Sequence, residues 1–521
     1  MLKIVNSLIV ITLISTLAAC GGGSSGGASE AASSSNPSAP PEPIELLAST
    51  PILLPDLKPK YDRLCGRDTN ARNVAVVDVN KDGRVDLIIN LWCPQPKFGV
   101  SLPTDAPVPN GLVALIQNSQ GIFEDKTSDV FGVDLPSIGG IGIEFVVNDF
   151  NGDGVKDIVY AVNREDGRLP DSNENQHSPT VALLSDGVGG YRISEVTAAE
   201  YGYKITLKEN NLGQFDLVLT PFGAPSVFSY SNGWKKLQGF DWISNIGITF
   251  FRSTSPGLGS RISVVPSLVP RTGVELYSLG TSGWNRTGSY LFPEPTLVQM
   301  KSYTGAIGLV PLFTVDGKDF VTPSIMDTCE LSRSKDSASE ALALYAANEV
   351  VGGYKGQLLD DSDNKTLKGT YNLLLFTVNQ GTALTKIELP IKNQIDSGVI
   401  WKIECSDITK DGLSDIQYLR PMGGPPSGGD VTYPAIFVND GSGKYSQVDT
   451  KWFPRPGNGL VHLFEDLNGD GIRDLLYYPL TGYQGDEFNS GSVKDGHPIT
   501  NTRVRYFLYL GRRNLKSSDV M

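Results

Sequence analysis

"DVNKDGRVD", residues 78–86, sets three aspartates, an asparagine and a glycine in nine positions between two apolar runs, "NVAVV" before it and "LIINL" after it. The pattern returns as "DFNGDGVKD" at 149–157, "DITKDGLSD" at 407–415 and "DLNGDGIRD" at 466–474. Three carboxylates on one tight loop repel one another unless a cation sits among them. A hard dication takes oxygen ligands in number, and Asp at positions one, five and nine, Asn at three and the backbone carbonyl at seven supply them. Glycine at six permits the reversal. About four Ca2+ ions are therefore expected. Their ligand sets are Asp78, Asn80, Asp82, the Arg84 carbonyl and Asp86; Asp149, Asn151, Asp153, the Val155 carbonyl and Asp157; Asp407, Thr409, Asp411, the Leu413 carbonyl and Asp415; and Asp466, Asn468, Asp470, the Ile472 carbonyl and Asp474. An EF-hand needs Glu at position twelve. These loops carry Ile89, Tyr160, Tyr418 and Tyr477 there, which excludes it.

A second phrase recurs between the acidic loops, an apolar strand closing on a Gly/Asn/Asp turn. It reads "ALIQNSQGIFED" from 114, "ALLSDGVGGYRIS" from 182, "SVFSYSNGWKKL" from 226, "ELYSLGTSGWNRT" from 275, "LLLFTVNQGTALT" from 373, "AIFVNDGSGKYSQ" from 435 and "RYFLYLGRRNLK" from 505. Where the acids have decayed, the first phrase is still traced in "ENNLGQFDLVL", "TSPGLGSRISVV" and "TVDGKDFVT". The unit is strand A, acidic loop, strand B, connection, strand C, tight turn, strand D. Such sheets bury their faces only against one another, and radial repetition leaves only short edges. The expectation is an all-β, seven-bladed β-propeller over residues 45–521. The last unit has only the polar "RRNLKSSDVM" after strand C, whereas "IELLASTPILLPD" at 44–56 is apolar and belongs to no unit. That N-terminal segment is expected to complete the last blade as a velcro strand.

The repeated acidic phrase followed by a small-residue turn resembles the FG-GAP or VCBS repeat of integrin α-subunit propellers and many bacterial surface proteins. "FGAP" itself stands at Phe222–Pro225. The resemblance implies a propeller with calcium in four units. It does not choose a function, since such repeats serve adhesion receptors, lectins and polysaccharide-degrading enzymes alike.

Composition agrees with many short strands and turns: 57 Gly, 33 Pro, 20 Tyr and 20 Phe in 521 residues. A formal net charge of −13 suits bound cations and argues against nucleic acid as a partner. The chain opens "MLKIVNSLIVITLISTLAACGGGSSGG", in which the apolar run from Leu8 to Ala19 is too short to span a bilayer and reads as a secretory signal. Its end, Leu17-Ala18-Ala19-Cys20, resembles the lipobox of bacterial lipoproteins. The resemblance implies acylation at Cys20, and Gly21 after it implies an outer-membrane lipoprotein, facing the periplasm or the cell surface. Residues 1–20 are thus a signal peptide. Residues 21–44, rich in Gly, Ser and Pro, form a solvated tether.

Strand polarity puts the acidic A–B loops and the C–D turns on one face, and the B–C and D–A connections on the other. The B–C connections are long at 92–110, 163–179, 322–371, 420–433 and 480–502, and short in the third and fourth units. The depression they wall is the expected ligand site, carrying Trp92, Arg164, Arg168, His177, Arg420, Tyr433, Tyr483 and His497. Rings stack on sugar faces, and Arg meets hydroxyls or acidic groups. No G-x-S-x-G elbow, zincin helix or Walker loop is present, and no catalytic residue is assigned. His462, in a strand A, reads as a core or channel residue. The function expected is a calcium-stabilised, membrane-anchored, monomeric binding module for a glycan or protein ligand; the alternative is a polysaccharide lyase or hydrolase on the same propeller.

Four cysteines besides Cys20 predict two disulfides in an oxidising compartment. Cys65 and Cys93 both map to the long-loop face and are the expected pair. Cys329 and Cys405 pair only by elimination, since they map to opposite ends of adjacent units.

Overall fold

The apolar runs flanking each acidic loop become neighbouring antiparallel strands, joined by two more from the second phrase. The structure, a computed structural model, describes residues 45–65, 70–92, 110–139, 141–163, 180–197, 204–209, 214–220, 226–239, the strands between 245 and 390, 402–419, 433–454, 460–479 and 506–521. Strand β1 (Ile52–Leu53) and helix α1 (Lys58–Cys65) lead into a blade of β2 (Asn70–Val77), β3 (Asp86–Trp92), β4 (Asn110–Gln117) and β5 (Phe123–Asp125). After helix α2 (Thr127–Phe131) comes the next blade, β6 (Ile141–Asn148), β7 (Asp157–Asn163), β8 (Thr180–Ser185) and β9 (Tyr191–Thr197). A third blade follows as β10 (Lys204–Glu209), β11 (Phe215–Thr220), β12 (Ser226–Tyr230) and β13 (Trp234–Gly239).

Further along are β14 (Asn245–Arg252), β15 (Ser260–Pro266), β16 (Gly273–Gly280), β17 (Gly283–Leu291), β18 (Val298–Ser302), β19 (Leu312–Val315), β20 (Lys318–Val321), β21 (Ser324–Leu331), β22 (Glu340–Ala347), β23 (Gln357–Leu358), β24 (Tyr371–Asn379) and β25 (Ala383–Pro390). Two more blades hold the last acidic loops. One is β26 (Lys402–Ser406), β27 (Asp415–Leu419), β28 (Ile436–Asn439) and β29 (Tyr445–Gln447); the other is β30 (Leu460–Glu465), β31 (Asp474–Pro479) and β32 (Phe507–Tyr509), with β1 as its fourth strand.

Five blades with packed cores, not the expected seven, make up the propeller among the described residues. The repeat count assigned 245–390 to two units, yet its strands pair into three four-stranded sheets. The surplus arises at "TVDGKDFVT", read above as a decayed acidic loop. Here β19 and β20 pair with Val315 opposite Lys318 and join β18 and β23 in the order β19-β20-β18-β23. An Asp-Gly pair between two β-rich runs is equally the signature of a two-residue hairpin, and that reading wins. The expected insertion at 322–371 dissolves with it, because β21, β22 and β23 occupy much of that stretch.

The inner strands are apolar at successive positions because both faces are covered. In β3, Leu87 and Ile89 enter the core shared with the last blade, while Ile88 between them enters the core shared with the next. In β31, Leu475 and Tyr477 pack toward the preceding blade, and Leu476 and Tyr478 toward the first. Alternate side chains of a strand point to opposite faces, so each blade supplies half of two cores. Each such aliphatic side chain contributes about 1.5–3 kcal/mol by leaving water.

The velcro closure is present. Ile52 pairs with Leu508 and Leu53 with Phe507, and Leu47 bridges to Gly511. The polar tail after β32 turns back instead to the outer strand of the preceding blade, where Val520 bridges to Val448 and the Met521 N–H donates to the Gln447 carbonyl. A buried ion pair, Arg513 Nη1 to Asp519 Oδ2 at 2.7 Å, holds the tail. Among the described residues no helix is long and apolar enough to cross a membrane.

Candidate metal-binding face

Each acidic loop is built by side chains accepting N–H groups of the same loop. Asp149 takes the Gly152 N–H on one carboxylate oxygen (2.7 Å) and the Gly154 N–H on the other (2.9 Å). Asp466 does the same with Gly469 and Gly471, both at 2.8 Å. Asp78 and Asp407 instead reach the N–H groups of positions five and six. At position three, the side-chain oxygens of Asn80, Asn151 and Asn468 accept from position five at 3.1, 3.0 and 2.9 Å. Thr409 differs, since its hydroxyl donates to Asp415 at 3.1 Å. Positions four and six lie in the left-handed region in all four loops, from φ 59° at Lys81 to φ 88° at Gly412. Position six is glycine throughout, where a side chain would be strained.

The ninth aspartate has a different place from the first and fifth. Asp86, Asp157, Asp415 and Asp474 are fully buried. In each, one oxygen accepts the N–H of position two: Val79 at 2.8 Å, Phe150 at 2.8 Å, Ile408 at 3.0 Å and Leu467 at 2.8 Å. The other oxygen accepts an N–H at the end of strand C: Gln117 at 2.8 Å, Ser185 at 2.7 Å, Asn439 at 2.9 Å and Gly511 at 2.7 Å. This aspartate staples the acidic loop to the start of the C–D turn, and so both lie on one face. Its backbone partners are pinned by burial of the position-two side chains, with Val79, Ile408 and Leu467 each at most 1% exposed.

Burial pushes the carboxyls of Asp86 and Asp157 up to about 6 and that of Asp474 up to about 7, against the N–H bonds that pull them down. Burial raises Asp415 as well. Among the described residues no three Asp, Glu, His or Cys side chains gather as a metal site. With position nine turned inward, the first and fifth aspartates stay outward in each loop, with Asn at three in three of them; Thr409 turns onto Asp415, and the Arg84 guanidinium pairs with Asp82. That outward set is all oxygen and fits a hard cation in chemistry. Sequence reasoning missed the staple because ligand and staple are the same residue type; the signal was that position nine opens strand B.

On the opposite face, Trp92 ends β3, paired with Asn70 and Asn110. Tyr433 packs against the core shared by the last two blades. It is a packing residue there, because the cluster it joins includes Leu47, Phe453 and Tyr477. Arg164, Arg168, His177, Arg420, Tyr483 and His497 lie outside the described residues, as do Cys20 and Cys93. His462 stands in β30 opposite Tyr477, 5% exposed.

Cys65 is disulfide-bonded, while its expected partner lies outside the described residues. Cys329 is bonded to Cys405, with Cα atoms 5.7 Å apart. Their expected separation is corrected. Cys329 does not open an insertion but belongs to β21, which packs beside β26, where Cys405 lies.

No protein-family model matches this chain, and no curated protein matches it. Among solved structures it is similar to BBS1N in complex with ARL6DN, at 9% identity and a TM-score of 0.41, covering 90% of this chain and 99% of that one. It is similar to the exotype rhamnogalacturonan lyase YesX at 11% identity and a TM-score of 0.36, covering 90% and 76%. It is also similar to the Bacillus licheniformis rhamnogalacturonan lyase PL11 at 10% identity and a TM-score of 0.35, covering 85% and 72%. Likenesses this distant say nothing of chemistry, and the propeller architecture rests on the strand pairing described above.

Proposed function

We propose that this chain is a calcium-stabilised binding module outside the cytoplasm, tethered to a membrane by acylated Cys20, with a glycan or protein as its ligand. One observation carries the reading. The ninth aspartate fixes every described acidic loop to the C–D turn, so the acidic loops share one face and the B–C connections leave from the other. The acidic face is suited to ions and the opposite face is left for a ligand. In each loop the first and fifth aspartates, the Asn or Thr at three and the carbonyl at seven would hold Ca2+. Position nine supports them from within. A dication beside these buried carboxylates would offset the charge that burial disfavours.

The test is a glycan array on the purified protein with and without chelator, read beside its melting curve. Calcium-dependent binding and a lower melting temperature in chelator are expected. Unchanged melting in excess chelator would remove the metal from the reading, and cleavage of an anionic polysaccharide would replace the binding module by an enzyme.

A further inference from the structure

Gln417 of β27 stands opposite Glu404 of β26 on one side and Ile436 of β28 on the other. Ile436 belongs to the core shared by the last two blades, and cross-strand partners share a face, so Gln417 and Glu404 both look into that seam. Gln417 is fully buried, and its Nε2 donates to Glu404 Oε2 at 2.9 Å. That bond fixes the amide on the carboxylate, yet among the described residues nothing donates to the amide's own oxygen, Oε1. A buried acceptor left without a donor costs its full desolvation. From the last blade, Arg473 enters the same seam. Its Nη2 donates to Ser406 Oγ at 3.1 Å, two residues along β26 from Glu404. Its Nη1 donates to the Phe464 carbonyl at 2.7 Å and lies 3.3 Å from Glu465 Oε2. The two glutamates feel each other, since the Glu465 carboxyl is pushed up by burial first and by the Glu404 charge second.

Charge decides what this place can hold. The Glu404 and Glu465 carboxylates and the Arg473 guanidinium leave one net negative charge, and among the described residues no cationic side chain donates to Glu404. Water would give Gln417 Oε1 a donor but leave the charge, and a partly buried charge calls for a partner. A divalent ion would overshoot the charge, and Ca2+ takes six to eight oxygens, which this seam does not gather. A monovalent cation meets both needs, because it is a partner for the amide oxygen and the counter-charge for the carboxylate. We propose that Gln417 Oε1 and the Glu404 carboxylate form an alkali-cation site, for K+ or Na+, inside the seam between the last two blades. The site is separate from the acidic loops and does not depend on the calcium reading. Its ion joins β26 and β27 across their width at the place where Arg473 reaches over from the last blade, and so stiffens that seam.

The experiment follows the melting temperature of the full chain at saturating Ca2+, with KCl or NaCl exchanged against tetramethylammonium chloride at fixed ionic strength. An ion that binds only the folded state raises the midpoint by a constant step for each tenfold rise in its concentration beyond saturation, here about 2 °C. K+ or Na+ is expected to give this rise, and the two arms name the ion; tetramethylammonium, too large for the seam, gives none. Glu404→Gln keeps the shape and removes the charge, and should abolish the rise. Glu195→Gln, at an exposed carboxylate on β9, should keep it. Hydrogen exchange on the unaltered protein supplies a reading that needs no variant: the same ion should slow exchange in β26 and β27. Equal melting in alkali and tetramethylammonium salts overturns the proposal. So does a rise that survives in Glu404→Gln, or slowed exchange confined to other blades.

Discussion

Where the last blade meets the first, closure is made by burial: Leu476, Tyr478 and Leu508 on one side pack with Leu87, Ile89 and Val113 on the other, while Leu54, Leu57 and Tyr61 lie in the same core. Where β21 meets β26, two adjacent strands are joined by the Cys329–Cys405 bond. The first seam joins residues 350 or more positions apart in sequence, through this packing, the pairing of β1 with β32 and a bond from Gln117 Nε2 to the Leu467 carbonyl. At the second seam the bond acts on the unfolded chain as well, by restricting it. Burial and covalent restraint are thus used at different seams, and they should fail differently.

Leu476→Ala should have the largest effect, about 3–5 kcal/mol, because it leaves a cavity in a core to which both blades contribute. Its thermal midpoint should fall while the disulfide stays formed. Paired Cys329→Ser and Cys405→Ser changes should cost about 2–4 kcal/mol. If that variant melts below Leu476→Ala, the covalent seam matters more than the packed one and the ranking is inverted. Asp474→Ala should cost about 2–3 kcal/mol, since it strands the N–H groups of Leu467 and Gly511. Hydrogen exchange should then rise at both amides and at the Leu47 bridge to Gly511. Tyr61→Phe should be smallest, about 1 kcal/mol, because Thr127 keeps its 2.6 Å bond to Asp125 when the phenol is lost. A loss as large as that of Leu476→Ala would mean that α1 carries the seam rather than decorating it.

Much of this was legible in the residues. The acidic loops announced the A–B hairpins four times, and "IELLASTPILLPD" announced the velcro strand by being apolar with no unit of its own. What was not legible follows from letters that serve two purposes. Asp-Gly in "TVDGKDFVT" fits an acidic loop and a tight hairpin alike, and only the pairing of β19 with β20 separates them. Asp at nine fits a ligand set by spacing, whereas its burial comes from strand C, which lies tens of residues away in the chain. Cys329 was misplaced by the same error of strand assignment, since a residue thought to open an insertion lies in a strand A. Lys81 and Lys410 carried no signal at all, because the Asp153 and Gly471 carbonyls to which their ammonium groups donate belong to the next blade.

The bridge from Leu47 to Gly511 also sets an orientation. Gly511 donates to Asp474 at the acidic face, and β1 runs antiparallel to β32 away from that face, so the chain enters the last blade from the acidic side. The described chain therefore begins on the acidic face, and the B–C connections leave from the other.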